Sequence, residues 1–474
     1  MKINKNIHLS VYVMASLLFL GACSVGKNYK RPELNAPAAY RSNTVAADST
    51  TIADLPWKDF FSDPELKSLI DRTLAKNYDM RLAIQNIEGA KQVLKQSRAS
   101  FAPDINANMG VSLNRPSGSS LNGVSLNQFL GRSYLEDYTL GLSLSWEVDI
   151  WGKMRRQKEA AKADFMQSEE AVRAIQTQLV SDVSGGYYNL LMLDAQLIAA
   201  KKNLALNDSV LQITKLRKDV GQVTALAVQL VEAQYQGAAI LVPQLEQRIA
   251  MQENYLHFIS GGYPNAIERQ NKLEDIVITD NLPSGYPLSI LGRRPDVKAS
   301  ELQLKADNAR VGASQAAMYP SLTINLSAGL NSFTAGNWFN IPGALFGTFF
   351  GGITQPLFNR RQLKTQFELA KVQRERSIIE FERSVLNGVM EVSNALVKVD
   401  KLKQQQTAAN QRVQTLRGAV SSARLLYETG MADYIEVITA QSSLLQGELE
   451  ASAITCNLYL AKVDLYRSLG GGWK

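Results

Sequence analysis

The sequence predicts a mixed α and β membrane protein with an internal structural duplication, each half lending two strands to a transmembrane β-barrel and carrying a long helical hairpin. Three observations predict it. A unit of two alternating strands, a very long helix, a glycine turn and a second helix runs from about Phe101 to His257 and returns from about Tyr319 to Tyr466. Four segments alternate apolar and polar residues with period two. Two stretches, about 154–219 and 362–429, contain no proline and repeat apolar residues at spacings of three and four.

The duplication can be followed residue by residue. Pro103 matches Pro320, Trp151-Gly152-Lys153 matches Phe358-Asn359-Arg360, and Gly221 followed by Ala233-Gln234 matches Gly430 followed by Ala440-Gln441, at an offset of roughly 210 residues. A period of that length is too long for a solenoid and marks two copies of one domain-sized unit.

At the amino terminus, Lys2 and Lys5 precede an apolar run from about Val11 to Leu20, too short to span a bilayer and the right size for a signal-peptide core. It ends in Leu20-Gly21-Ala22-Cys23, which resembles a bacterial lipobox. The resemblance implies that residues 1–22 are removed and that Cys23 carries S-diacylglycerol and N-palmitoyl chains, a covalent lipid anchor strong enough to hold the chain to a membrane. Ser24 in place of an aspartate implies the outer membrane. Residues 23–56, with Pro32, Pro37 and Pro56, read as an extended tether from that lipid. The first repeat then occupies 57–290 and the second 291–474.

Asp63 as a capping residue and Pro64 at the first helical position start a helix that pauses at Asn77-Tyr78-Asp79 and continues to about Ser100. Pro295 starts its counterpart. The strands follow at about 104–114, 138–150, 320–331 and 345–358. In the first, Ile105, Ala107, Met109, Val111 and Leu113 alternate with polar or small residues; in the second, Leu140, Leu142, Leu144, Trp146 and Val148 do so. The fourth is less clean, with Phe346, Phe349, Phe350 and Ile353 spread among glycines. Each is long enough for the 9 to 11 residues that a tilted strand needs to cross hydrocarbon. Four strands cannot close a barrel, and an open edge in lipid leaves backbone groups unpaired, so several copies of the chain must share one barrel. The second face, rich in Asn, Ser and Thr with few charges, suits a water-filled lumen. The segments 115–137 and 332–344 read as loops, and Trp151, Trp338, Phe339 and Phe346 as aromatic residues for the lipid interfaces.

Sixty-odd helical residues at 1.5 Å each make a rod of roughly 100 Å. Second helices, about Ala225–Ser260 and Tyr434–Tyr466, return antiparallel after turns at Gly221 and Gly430, with a kink expected at Pro243. Residues 261–292, with Gly261, Gly262, Pro264, Pro283, Gly285, Pro287 and Gly292, link the halves irregularly.

Composition excludes several chemistries. The formal charge is +7, and losing Lys2 and Lys5 with the signal leaves 7 − 2 = +5, with no basic run interleaved with aromatics to suggest nucleic acid. His8 also leaves, so the mature chain keeps only His257, too few for a multi-histidine metal site or a Ser-His-Asp triad. Cys456 has no disulfide partner and reads as a core residue. There is no phosphate loop, dinucleotide fingerprint or nucleophile elbow, so neither an enzyme nor a resident cofactor or metal is expected.

The lipobox cysteine, Tyr29-Lys30-Arg31-Pro32, Trp57-Lys58-Asp59-Phe60-Phe61 with Asp63-Pro64, Leu282-Pro283-Ser284 with Arg294-Pro295-Asp296, Tyr319-Pro320-Ser321, and Gly430 with Ala440-Gln441 resemble the TolC-like and OprM-like outer membrane factors of tripartite efflux systems, the NodT family. The resemblance covers essentially the whole mature chain. It implies a homotrimer with a shared 12-stranded transmembrane β-barrel, four strands per chain, continued by a long periplasmic α-helical barrel. An inner-membrane pump, of RND type, and a periplasmic adaptor would deliver small molecules to the helical tip.

The resemblance also implies site residues. An acidic residue six positions after the second turn glycine forms a carboxylate ring at the pore aperture; here it is Glu436, with Asp433 on the same turn. A further family aspartate falls at Thr439, so part of the pattern is missing. The turns Val220-Gly221 and Thr429-Gly430 resemble those that meet the adaptor. Gly221 to Gln234 is two residues longer than Gly430 to Gln441, which predicts differently shaped tips. Two other functions fit the same layout: a type I protein secretion duct, and a structural or adhesive surface lipoprotein that transports nothing.

Overall fold

The duplication reappears in the computed structural model of the chain as pairs of helices of equal length. The structure describes residues 25–34, 51–278 and 290–474, so the signal peptide and Cys23 lie outside the described residues. In chain order the elements are α1 (Trp57–Phe60), α2 (Pro64–Lys76), α3 (Tyr78–Ala99), β1 (Asp104–Asn114), α4 (Leu121–Leu130), β2 (Leu135–Val148), α5 (Lys153–Asp219), α6 (Ala225–Ile259), α7 (Ile290–Arg293), α8 (Pro295–Ala316), β3 (Ser321–Ser332), β4 (Leu345–Thr354), α9 (Gln362–Glu428) and α10 (Tyr434–Ser468). The helices α3 and α8 both have 22 residues, α5 and α9 both 67, α6 and α10 both 35. The α6 helix runs through Pro243 without ending.

The described chain forms two units, one of residues up to 32, 88–166 and 302–379, the other of 33–87, 167–301 and 380–474. The first holds a single antiparallel sheet in the order β1-β2-β3-β4. Its register aligns apolar residues from all four strands on one face: Ile105 opposes Leu144, Leu144 opposes Leu326, and Leu326 opposes Phe349. One row over, Asn106, Ser143, Ser327 and Thr348 line up on the other face. Because side chains alternate with period two, a slip of one residue would reverse both faces. Every residue of β1 is exposed, and both β1 and β4 are open edges in the single chain.

The register settles the ambiguous fourth strand. Phe349 and Ile353 join the apolar face, whereas Phe346 opposes Gly329 and Phe350 opposes Asn325 on the polar face. Phe346 is therefore no interface aromatic; its ring lies over Gly141, a glycine that faces Gly329 across β2 and β3. Trp338 also departs from that expectation, being buried against Tyr138 and Phe339. Trp151 is half-buried, donating its Nε1–H to the Pro320 carbonyl at 2.7 Å, while Phe339 stays exposed. Strand ends shift for physical reasons. Glu136 breaks the apolar alternation, yet β2 already starts at Leu135; β4 stops at Thr354 because Pro356 has no N–H to give a ladder. The segment 115–137 holds a helix, α4, which Ser120 caps and Gly131 ends in the left-handed conformation.

Part of the segment expected to be a tether is strapped down. Val25 N–H donates to the Trp151 carbonyl, and the buried Arg156 guanidinium donates to the carbonyls of Val25 and Gly26 and to Asn28 Oδ1.

The second unit holds the main core. Trp57, Phe60, Phe61, Leu66 and Ile70 of α1 and α2 pack with Tyr187, Tyr188, Leu190 and Leu191 of α5 and with Tyr459 and Tyr466 of α10. Phe60 stacks on Tyr466 at 4.2 Å between ring centroids. Asp63 Oδ1 accepts from the N–H groups of Glu65 and Leu66, and the pause at Asn77 is a second cap, its Oδ1 accepting from Met80 N–H while its Nδ2 donates to the Ile259 carbonyl. Buried Arg294 holds Asp296, Glu391 and the Ser468 carbonyl, the reason an Arg-Pro-Asp sequence stands at the start of α8. His257 is buried near the Ala266 carbonyl, and Cys456 is wholly buried, its thiol pushed up to about 12 by burial.

Candidate functional site

The residues singled out by sequence sit at the ends of the two helical hairpins, within the second unit. Each 67-residue helix needs a left-handed residue to reverse the chain, and glycine supplies it without a clash between Cβ and carbonyl. Gly221 has φ +74° and Gly430 +78°. The hydrogen bonds repeat as well. Gly221 N–H donates to the Lys218 carbonyl and Gln222 N–H to Arg217, just as Gly430 donates to Tyr427 and Met431 to Leu426.

Five residues, 220–224 and 429–433, separate the helices in each hairpin. The tips are thus built alike, which overturns the difference expected from the Ala-Gln spacing. The offset between halves is 430 − 221 = 209, and 441 − 209 = 232 places Glu232, not Gln234, opposite Gln441. The two Ala-Gln pairs are therefore two residues out of register and are not equivalent positions.

What differs is the capping side chain. Thr224 Oγ1 accepts from Ala227 N–H at 3.3 Å, whereas Asp433, in the same position before α10, makes no capping bond. Its carboxylate stays exposed at the positive end of the helix, where a negative charge is favourable. Glu436 lies on the same turn, its N–H donating to the Asp433 carbonyl, and its side chain is exposed without a hydrogen bond or ion pair to any described residue. The structure therefore brings Asp433 and Glu436 together, with the exposed Thr439 one turn further on. Val220 and Met431 at the turns are 70% and 74% exposed, so each reversal presents an apolar side chain to its surroundings. A Cβ placed at Gly221 or Gly430 would meet open space, so only the backbone conformation demands glycine there.

Sequence reasoning missed the link between the hairpins. Tyr427 is 1% exposed in a cluster with Val210, Leu211, Val228, Val231 and Val437. The Arg217 guanidinium stacks 4.2 Å from its ring centroid and donates to its carbonyl, and Thr214 Oγ1 lies 2.9 Å from its hydroxyl. The end of α5 is tied to the end of α9 by these groups. No spacing rule could have found a pair that lies 210 residues apart in the chain; the available signal was a tyrosine and an arginine each within one turn of a hairpin glycine.

The outer membrane efflux protein family model matches residues 69–262 and again 287–471, once per half. A probable outer membrane lipoprotein of Salmonella typhimurium, SilC, is 28% identical over 468 residues, covering 98% of this chain and 99% of its own. The toluene efflux pump outer membrane protein TtgC of Pseudomonas putida is 29% identical over 472 residues, 98% of this chain and 95% of its own. The open state of the MtrE outer membrane channel of Neisseria gonorrhoeae matches with a TM-score of 0.85 at 26% identity, covering 95% of this chain and 99% of that one. The chain belongs to the outer membrane efflux protein family.

Proposed function

We propose that three copies of the chain close a twelve-stranded barrel in the outer membrane and form the passive exit duct of a tripartite efflux system. A periplasmic adaptor meets the turns Val220-Gly221 and Thr429-Gly430, and an inner-membrane pump of RND type supplies the cargo. The protein is a duct and not an enzyme, as its family is. One observation carries the reading: four strands hold an apolar face and a polar face in register across the whole sheet while leaving both edges open. Such a sheet is stable in lipid only when further copies pair its edges, and closure puts the polar face on the inside.

Along the helices, Ile240, Met251 and Phe258 of α6 and Leu369, Val372, Ile379 and Leu386 of α9 are all exposed in the single chain. Packing between copies would bury them. Cys23 carries the lipid in this reading, in keeping with the description of SilC as a lipoprotein. Relatives of similar identity are described for cation efflux and for toluene efflux, so resemblance of the duct does not by itself fix the cargo.

Three copies of Glu436 and Asp433 around one axis make a ring of like charges that draws cations and repels anions. Single-channel recording in planar bilayers tests this. Glu436→Gln is expected to raise conductance and to weaken cation selectivity; currents identical to the parent would remove Glu436 from the aperture.

A further inference from the structure

The junctions between strand and long helix are built differently in the two halves. In the first, Gly152 immediately precedes α5 with φ +80°, the left-handed conformation that glycine adopts freely. In the second, two arginines hold that conformation, Arg360 at φ +40° and Arg361 at +63°, immediately before α9. A side chain with a Cβ is disfavoured there, so the fold alone would select glycine.

Charge separates the junctions further. Around α5 the cations are matched locally: Lys153 pairs with Glu147, Arg155 with Asp149 and Arg156 with Glu159. Around α9 no aspartate or glutamate occurs anywhere between Asp307 and Glu368. Arg360, Arg361 and Lys364 are exposed and make no ion pair or hydrogen bond through their side chains with the described residues. Directly before them stand Leu357, 95% exposed, and Phe358, 88% exposed. They continue the chain from β4, whose Phe349 and Ile353 lie on the apolar face of the sheet.

Unpaired guanidinium groups next to bare apolar side chains, at the end of a strand that crosses a membrane, match the boundary between lipid headgroup and acyl chain. Arginine offers planar paired donors suited to phosphate oxygens. We propose that Arg360 and Arg361, assisted by Lys364, bind the phosphate of an anionic phospholipid in the periplasm-facing leaflet of the outer membrane, with Leu357 and Phe358 seated among its acyl chains. This rests on the barrel reading above. The left-handed backbone then serves to aim both guanidinium groups at one headgroup instead of along the helix.

Native mass spectrometry of the detergent-extracted protein, incubated with phosphatidylglycerol or with phosphatidylcholine, tests the site. The parent should retain several-fold more phosphatidylglycerol than phosphatidylcholine, and the R360Q/R361Q variant should lose that excess while keeping the same oligomeric state. R360G/R361G separates a structural from a binding role: relief of the backbone should raise its melting temperature while retained phosphatidylglycerol falls. Equal retention of the two lipids by the parent, or an undiminished excess in R360Q/R361Q, would overturn the proposal. Loss of the oligomer in R360Q/R361Q alone would overturn it too and assign the arginines to a contact between copies. A monomeric parent would instead refute the barrel reading itself.

Discussion

A single carboxylate, Asp63, ties together three distant stretches of the second unit. It caps α2 through two backbone N–H groups, and its Oδ2 accepts from the Tyr187 hydroxyl at 3.0 Å and from Asn271 Nδ2 at 2.9 Å. Burial alone would raise its pKa, but the hydrogen bonds from Asn271, the Leu66 N–H and Tyr187 outweigh it, so the carboxyl sits below its ordinary value. A folded value below the unfolded one means stability that is present above about pH 4 and is lost as pH falls through the folded value. Tyr187→Phe removes a donor to a buried charge and should cost about 2 kcal/mol. Its acid-unfolding midpoint should also move to higher pH, read by circular dichroism across pH 2–7. An unchanged midpoint would show that the cap and Asn271 hold Asp63 without the tyrosine.

Among the elements, the strands show what can be read from sequence and what cannot. The alternation of β1 and β3 fixed their faces, because successive side chains of a strand point to opposite sides and so sort apolar from polar residues. The faces of β4 were hidden, since Phe346 and Phe350 fall among glycines and only the pairing partner decides which way a phenylalanine points. The cap at Asp63, the pause at Asn77 and the hairpin glycines were legible because each acts within a few residues, although only the structure shows that the pause is a cap. The Arg217–Tyr427 link and the strapping of Val25 by Arg156 were not, because both join segments far apart in the chain. Close approach of β2 to β3 is similarly invisible in the sequence. A Cβ at Gly329 would lie 2.2 Å from the Leu140 carbonyl oxygen and 2.5 Å from the Gly141 Cα, both backbone atoms of β2. Gly329→Ala should therefore disrupt pairing of β2 with β3 and abolish the SDS-resistant oligomer on unheated gels. A resistant oligomer at parental levels would show that the sheet can spread to admit a methyl group.

For the whole molecule, three helices of one half repeat in the other at equal length and with equal hairpin turns, but the copies have diverged where charge matters. Thr224 caps its helix while Asp433 does not, and paired cations at one strand–helix junction face unpaired arginines at the other. In the proposed trimer the two unlike halves would alternate, and the second half alone would contribute the Asp433 and Glu436 carboxylates. The central claim is that the open four-stranded sheet is completed by two further copies. Native mass measurement on protein extracted from outer membranes in mild detergent tests that claim most directly. The predicted result is a species of three chains; a species of one chain that still conducts in bilayers would contradict it.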